Sequence, residues 1–136
     1  MSAPYAYEYA VIRVVPRAER EEFVNVGVIL FCDACNFLSA RVELDEGRLL
    51  ALGPEIDMAI VKDHLDGVSR VCLGGASTGP IGLLSLRERF RWLVAPRSTI
   101  LQTSAPHAGL CEQPDIALER LLDQLVRTRQ PLGGSG

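Results

Sequence analysis

Residues 6–44 read AYEYAVIRVVPRAEREEFVNVGVILFCDACNFLSARVEL, and the way this stretch is cut decides the fold. AYEYAVIRVV (6–15) alternates and is rich in β-branched and aromatic side chains, which is the pattern of a strand. Pro16 closes it, and PRAEREE (16–22) is a charged connection. FVNVGVILF (23–31) is a second strand, CDACN (32–36) a short polar turn, and FLSARVEL (37–44) a third strand. Two strands joined by so short a turn are an antiparallel hairpin.

Strict alternation then sorts this unit into two faces. Ala10, Ile12, Val14, Val24, Val26, Val28, Leu30, Leu38, Ala40, Val42 and Leu44 share one face, apolar throughout and expected to take the helices. The other face is mixed and carries Tyr7, Tyr9, Val11, Arg13, Phe23, Asn25, Gly27, Ile29, Phe31, Phe37, Ser39, Arg41 and Glu43. Three readings of this mixed face stay open. It is a half-solvated face with cross-strand ion pairs, a shallow anion pocket with aromatic walls, or a partner surface. Gly27 in mid-strand marks either a bulge or a close approach of another backbone or ligand.

Beyond residue 44 the period changes. DEGRLLALGP (45–54) suggests a short helix ended by Gly53-Pro54. Met58, Val61, Leu65, Val68 and Cys72 form the stripe of an amphipathic helix over 55–72. GGASTGPIG (74–82) is a loop by composition. Ser85 and Glu88 make a capping box that opens a helix over 86–95, with Pro96 setting its end. RSTILQTS (97–104) reads as a fourth strand and APHAGLCEQ (105–113) as a loop. Pro114 opens a last helix, with Leu118, Leu121, Leu122, Leu125 and Val126 buried and Pro131 as its stop. The expectation is an α+β fold with an antiparallel sheet of about four strands, in β-β-β-α-α-β-α order, and helices packed mainly on one face. Residues 1–131 read as a single domain and 132–136 as a flexible C-terminal tail.

The chain has 136 residues, and its 14 Lys+Arg against 17 Asp+Glu give a net charge of −3. This balance argues against general nucleic-acid binding. No apolar run approaches the roughly 18 residues of a membrane helix. The N-terminus shows no basic and apolar leader, so a cytoplasmic location is expected. Lys62 is the one lysine among the cations; all the others are Arg. A GC-rich genome accounts for such a bias, and so does selection for planar anion contacts.

Chemical motifs are sparse. Cys32 and Cys35 have C-x-x-C spacing but lack the second pair of a structural zinc site, so neither metal nor cofactor is expected. His64 beside the helical stripe reads as a hydrogen-bonded structural residue. A Cys111–His107 dyad has only proximity in its favour. GGASTG (74–79) offers glycines without the strand-loop-helix context of a phosphate loop. The candidate ligand- or partner-binding set is therefore Tyr9, Arg13, Asn25, Gly27, Arg41, Arg97 and Thr99. If Ile100 is buried, Arg97 and Thr99 fall beside Arg13 and Asn25; if Leu101 is buried, Ser98 and Gln102 do.

YEYAVIRVVPRAEREEFVNVGVILFC (7–32) and FRWLVAPRSTILQTSAPHAGLC (90–111) resemble two blocks of the DUF3037 proteins, a bacterial family of unknown function. The matching positions are Arg13, Asn25, Gly27, Arg91, Trp92 and the run from Pro96 to Ser104. Cys35 falls outside that pattern. The resemblance implies no reaction, cofactor or catalytic residue. Members are often encoded beside a HipA-like kinase-fold protein, which implies such a partner. The reading is a non-catalytic binding or adaptor module, with a small anion- or nucleotide-binding domain or enzyme using an Arg-rich site on the sheet as the alternative. Convergence of Arg13, Asn25, Arg41 and Arg97 in one concavity would favour the alternative.

Overall fold

The structure is a computed structural model that describes residues 4–97 and 99–127. Strand β1 (Tyr5–Arg17) turns through a single 3-10 turn into β2 (Glu22–Cys32), and a second such turn leads to β3 (Phe37–Val42). Asn36 ends that second turn in the left-handed region, φ 51°, a conformation Asn tolerates better than most residues. Helices α1 (Glu46–Leu52), α2 (Met58–Leu73) and α3 (Leu86–Val94) follow, then β4 (Leu101–Thr103), β5 (His107–Cys111) and α4 (Pro114–Leu125).

Local chemistry sets the helix ends. The Asp45 carboxylate accepts from the Arg48 amide at 3.0 Å, and the Asp57 carboxylate accepts from the Ala59 amide at 3.0 Å. Each therefore caps a helix N-terminus, which is why α2 starts at Met58 rather than at Glu55. The Ser85–Glu88 capping box forms as expected.

The sheet is open and antiparallel, in the order β3-β2-β1-β4, with β5 also pairing β1. It therefore has five strands. The expected fourth strand, 97–104, shortens to β4, and the expected loop 105–113 contains β5. HAGLC carries no alternation, so its strand character comes from its pairing with Tyr5–Tyr9 of β1. Between β4 and β5, Ser104 keeps the ladder whole. Its amide donates to Val11 O at 2.9 Å, and its hydroxyl accepts from the Val11 amide at 2.9 Å.

One bulge governs the two faces. Ile12 sits opposite Gly27, but Arg13 sits opposite Asn25, so Val26 is an extra residue on β2. Parity reverses there. Val24 and Val26 join Ile29 and Phe31 in the core under α1–α3, whereas Val28, Leu30 and Cys32 face α4. The single apolar face expected from unbroken alternation is thus corrected at Val28 and Leu30, and Ile29 and Phe31 leave the mixed face. A Cβ on Gly27 would lie 2.7 Å from Arg41 O, so any other residue there would force the β3 main chain to shift. Of its two sequence readings, the bulge and the close backbone approach hold together.

Three helices cover one face and α4 covers the other, through Ala117, Leu118, Leu121 and Leu122. No helix among the described residues is long and apolar enough to cross a membrane. The expected tail 132–136, the stop at Pro131 and the face of Ser98 lie outside the described residues.

Candidate functional site

The structure divides the residues singled out in the sequence between the two sides of the sheet. Arg13 and Asn25 are register partners on the α4 side. Asn25 Nδ2 donates to Leu125 O at the end of α4, at 3.0 Å, and the Arg13 guanidinium lies over the Phe23 ring at 4.4 Å. Arg13 Nε and Asn25 Oδ1 are buried without a hydrogen-bond partner among the described residues. Arg41 pairs with Glu119 of α4 at 3.3 Å. Tyr9 packs against the α4-side core, its ring 5.3 Å from that of His107. Gly27 is inside the bulge.

Arg97 and Thr99 are elsewhere. Leu101 packs into the α1–α3 core, and Gln102 is the register partner of Arg13. The expectation that Arg97 and Thr99 sit beside Arg13 and Asn25 is therefore corrected, because the strand begins only at Leu101 and sets the opposite register. Arg13, Asn25, Arg41 and Arg97 do not converge.

Arg97 and Thr99 instead line, with Leu101, a cleft of about 540 Å³ beside α2 and α3. The α2 wall gives His64, Val68, Arg70 and Val71; the loop after α2 gives Ser77 and Thr78; α3 gives Trp92 and Leu93. His64 is exposed on this rim and not a core residue, which corrects its structural reading. Pro96 ends α3, and the chain turns so that the Arg97 guanidinium stacks 4.1 Å from the Trp92 ring and donates to Trp92 O. Thr99 Oγ1 donates to Leu101 O at 2.6 Å, holding the connection into β4. Thr78 Oγ1 donates to Arg70 O at 3.4 Å, tying the loop to α2.

The walls are fixed by a buried arginine. Arg89 Nη1 donates to Val71 O at 2.8 Å and Cys72 O at 2.9 Å, and Nε donates to Leu84 O at 3.1 Å. It satisfies orphan carbonyls at the end of α2, where the helix dipole favours a cation. Gly74, at φ 76°, follows; a Cβ there would lie 2.5 Å from Arg89 Nη1.

Arg17, Arg20, Arg41, Lys62, Arg87 and Arg127 each pair with a carboxylate. Arg70 and Arg97 have no carboxylate partner among the described residues, and no acid lines the cleft. What sets this cleft apart is two such guanidinium groups in one concavity, since the exposed Arg91 and Arg120 also lack a carboxylate ion pair among the described residues. By contrast, the groove along α4 is filled by its own ions. Arg127 reaches Glu119 at 2.6 Å and Glu43 at 3.1 Å, and hydrogen bonds to these two carboxylates raise its pKa.

The thiols are all free. Desolvation, then the hydrogen bond and charge of Cys32, push the Cys35 thiol up to about 11. Desolvation pushes Cys72 up to about 12 against the opposing charge of Arg89. Such thiols stay protonated and poorly nucleophilic at neutral pH. No group of three or more His, Cys, Asp or Glu among the described residues is placed to hold a metal ion.

Sequence reasoning missed Arg70, Ser77 and Thr78. The available signal was the spacing of His64, Gly67, Arg70 and Val71, which share a side of α2 next to the apolar stripe.

Fold and site together define a small α+β domain with an open antiparallel sheet and an arginine-lined cleft on its three-helix side. The family described as a protein of unknown function (DUF3037) matches residues 9–126, and the chain belongs to that family. No curated protein and no solved structure matches it.

Proposed function

We propose that this chain is a non-catalytic binding module whose working site is the cleft between α2 and α3, and that the cleft receives an anionic group. The observation that carries the reading is that Arg70 and Arg97, neither ion-paired among the described residues, share one concavity that no carboxylate lines. An unpaired guanidinium presents a planar fork of donors that matches carboxylate or phosphate. Stacking on Trp92 holds Arg97 in place, so less side-chain freedom is lost on binding. Neither carboxylate nor thiol lines the cleft, which favours binding over chemistry.

The adaptor role implied by the family resemblance belongs to the same reading. A HipA-like kinase-fold protein is the partner to be tried first, and an acidic group on it is what the cleft would take. Four free thiols fit the reducing cytoplasm. The test is thermal unfolding of the full chain with and without millimolar phosphate, citrate and the HipA-like protein. A rise in midpoint that is lost in Arg97→Ala and Arg70→Ala supports the reading. No stabilisation by any of them, or the same stabilisation in both variants, removes it.

A further inference from the structure

We infer that the small molecule this cleft takes is a nucleoside monophosphate: one dianionic phosphate carried on a flat ring system. The inference rests on the anion-binding reading above and narrows it.

The rim and the floor ask for different things. On the rim are two guanidinium groups and the Ser77 hydroxyl, while the Thr78 and Thr99 hydroxyls donate to Arg70 O and Leu101 O and hold the rim in place. Two cations in one site suit a dianion better than a single carboxylate. The absence of any lining acid disfavours amino acids, amines and other ligands whose ammonium would need a carboxylate. On the floor are Val68, Val71, Leu93 and Leu101, of which Val71 and Leu93 are buried. Apolar walls of that kind bury a flat ring and give nothing to a bare inorganic ion. The volume, about 540 Å³, lies within the range of small-molecule sites and far exceeds what phosphate alone would fill.

The glycine loop completes the site. Gly74, Gly75 and Gly79 have φ values of 76°, 106° and 82°, a backbone conformation that other residues rarely adopt, and they flank the single turn Ala76–Thr78. That turn sets Ser77 and Thr78 on the rim, and the Thr78 hydroxyl bond to Arg70 O fixes the loop against α2. The loop thus supplies the Ser77 hydroxyl to the cleft although it is not a phosphate loop of the strand-loop-helix kind.

The experiment is calorimetric titration of the full chain with the four 5′-ribonucleoside monophosphates, the matching nucleosides, inorganic phosphate and benzoate. At least one monophosphate should bind about tenfold or more tightly than its nucleoside, than phosphate and than benzoate. Arg97→Ala and Arg70→Ala should each cost about tenfold, with unfolding midpoints kept. Arg97→Lys, which retains the charge and loses the planar stack, should recover only part of the affinity. Arg20→Ala, on a surface pair with Glu22, should change nothing. Binding of phosphate or benzoate as tightly as the nucleotides, still dependent on Arg97, overturns the inference and leaves the anion cleft standing. Binding of none of these probes overturns the inference and leaves the anion reading to the unfolding test above; nucleotide binding indifferent to both arginines overturns both.

Discussion

Gly27→Ala tests the feature on which the two-faced core depends. The added Cβ would lie 2.7 Å from Arg41 O, 3.1 Å from Ile12 Cδ1 and 3.3 Å from Val42 Cγ2, where ordinary contact begins at 3.4 Å. The shortfall at the carbonyl is 3.4 − 2.7 = 0.7 Å, and that atom is main chain of β3, held by its ladder to β2. A flexible side chain would swing aside; a ladder carbonyl moves only with its strand. Overpacking in cores costs about 1–3 kcal/mol, and a backbone clash with two further tight contacts belongs near the top, about 3 kcal/mol. With a urea slope of about 2 kcal/mol per molar, the unfolding midpoint should fall by roughly 1.5 M at unchanged slope. Gly47→Ala is the control. In α1 a Cβ there meets only Asp45 Oδ1, at 3.6 Å, so the substitution should be neutral or stabilise by up to about 1 kcal/mol. A Gly27→Ala protein within about 0.5 kcal/mol of the parent would show that β2 passes Ile12 without a bulge, and the assignment of Val28 and Leu30 to the α4 side would go with it.

Ser104→Ala leaves the buried Val11 amide without its acceptor and should cost about 1–3 kcal/mol; unchanged hydrogen-exchange protection at Val11 would refute the side-chain bridge. Arg89→Met strips three carbonyls of their donor and should cost about 3 kcal/mol, with Arg89→Lys recovering only part, as read by urea unfolding. Alkylation of Cys35 by iodoacetamide, followed by peptide mass spectrometry, should keep accelerating up to about pH 11. A rate that levels off near 9, the ordinary thiol value, would mean that burial and Cys32 do not hold the proton.

The strands and helices were legible in the sequence because each is written in a local period. β1, the β2–β3 hairpin and the Ser85–Glu88 box follow from spacing within a few residues. What escaped depends on partners far along the chain. A single extra residue, Val26, reverses the parity of all that follows in β2, and nothing in VNVGVILF says on which side of Gly27 the extra residue falls. β5 is a strand because Tyr5–Tyr9 lie beside it, not because HAGLC prefers to be one. The same limit applies to the site. Arg97 was legible from its place after Pro96, but the cleft needs Arg70 from a helix whose polar stripe looks like any solvated face. Asn25 stood out as a polar residue in a strand. Its amide turns out to hold the C-terminal end of α4, a hydrogen bond between residues 100 positions apart.

The excess of arginine, unexplained at the level of composition, acquires several distinct physical reasons. Arg89 spreads three donors over three carbonyls in a buried site, which a single ammonium cannot do in that geometry. Arg13, Arg87 and Arg97 lie over the rings of Phe23, Phe31 and Trp92 at 4.4, 5.3 and 4.1 Å, contacts that favour a planar, weakly hydrated cation. Base composition alone would scatter arginine over the surface at sites where lysine serves equally. Here four positions use the flat guanidinium, and two of these, Arg89 and Arg97, build or line the same cleft. Replacing the surface-paired Arg17 and Arg20 by lysine should therefore change neither stability nor affinity, whereas Arg89→Lys should lower stability and Arg97→Lys affinity, which separates selection for geometry from a bias of the coding sequence.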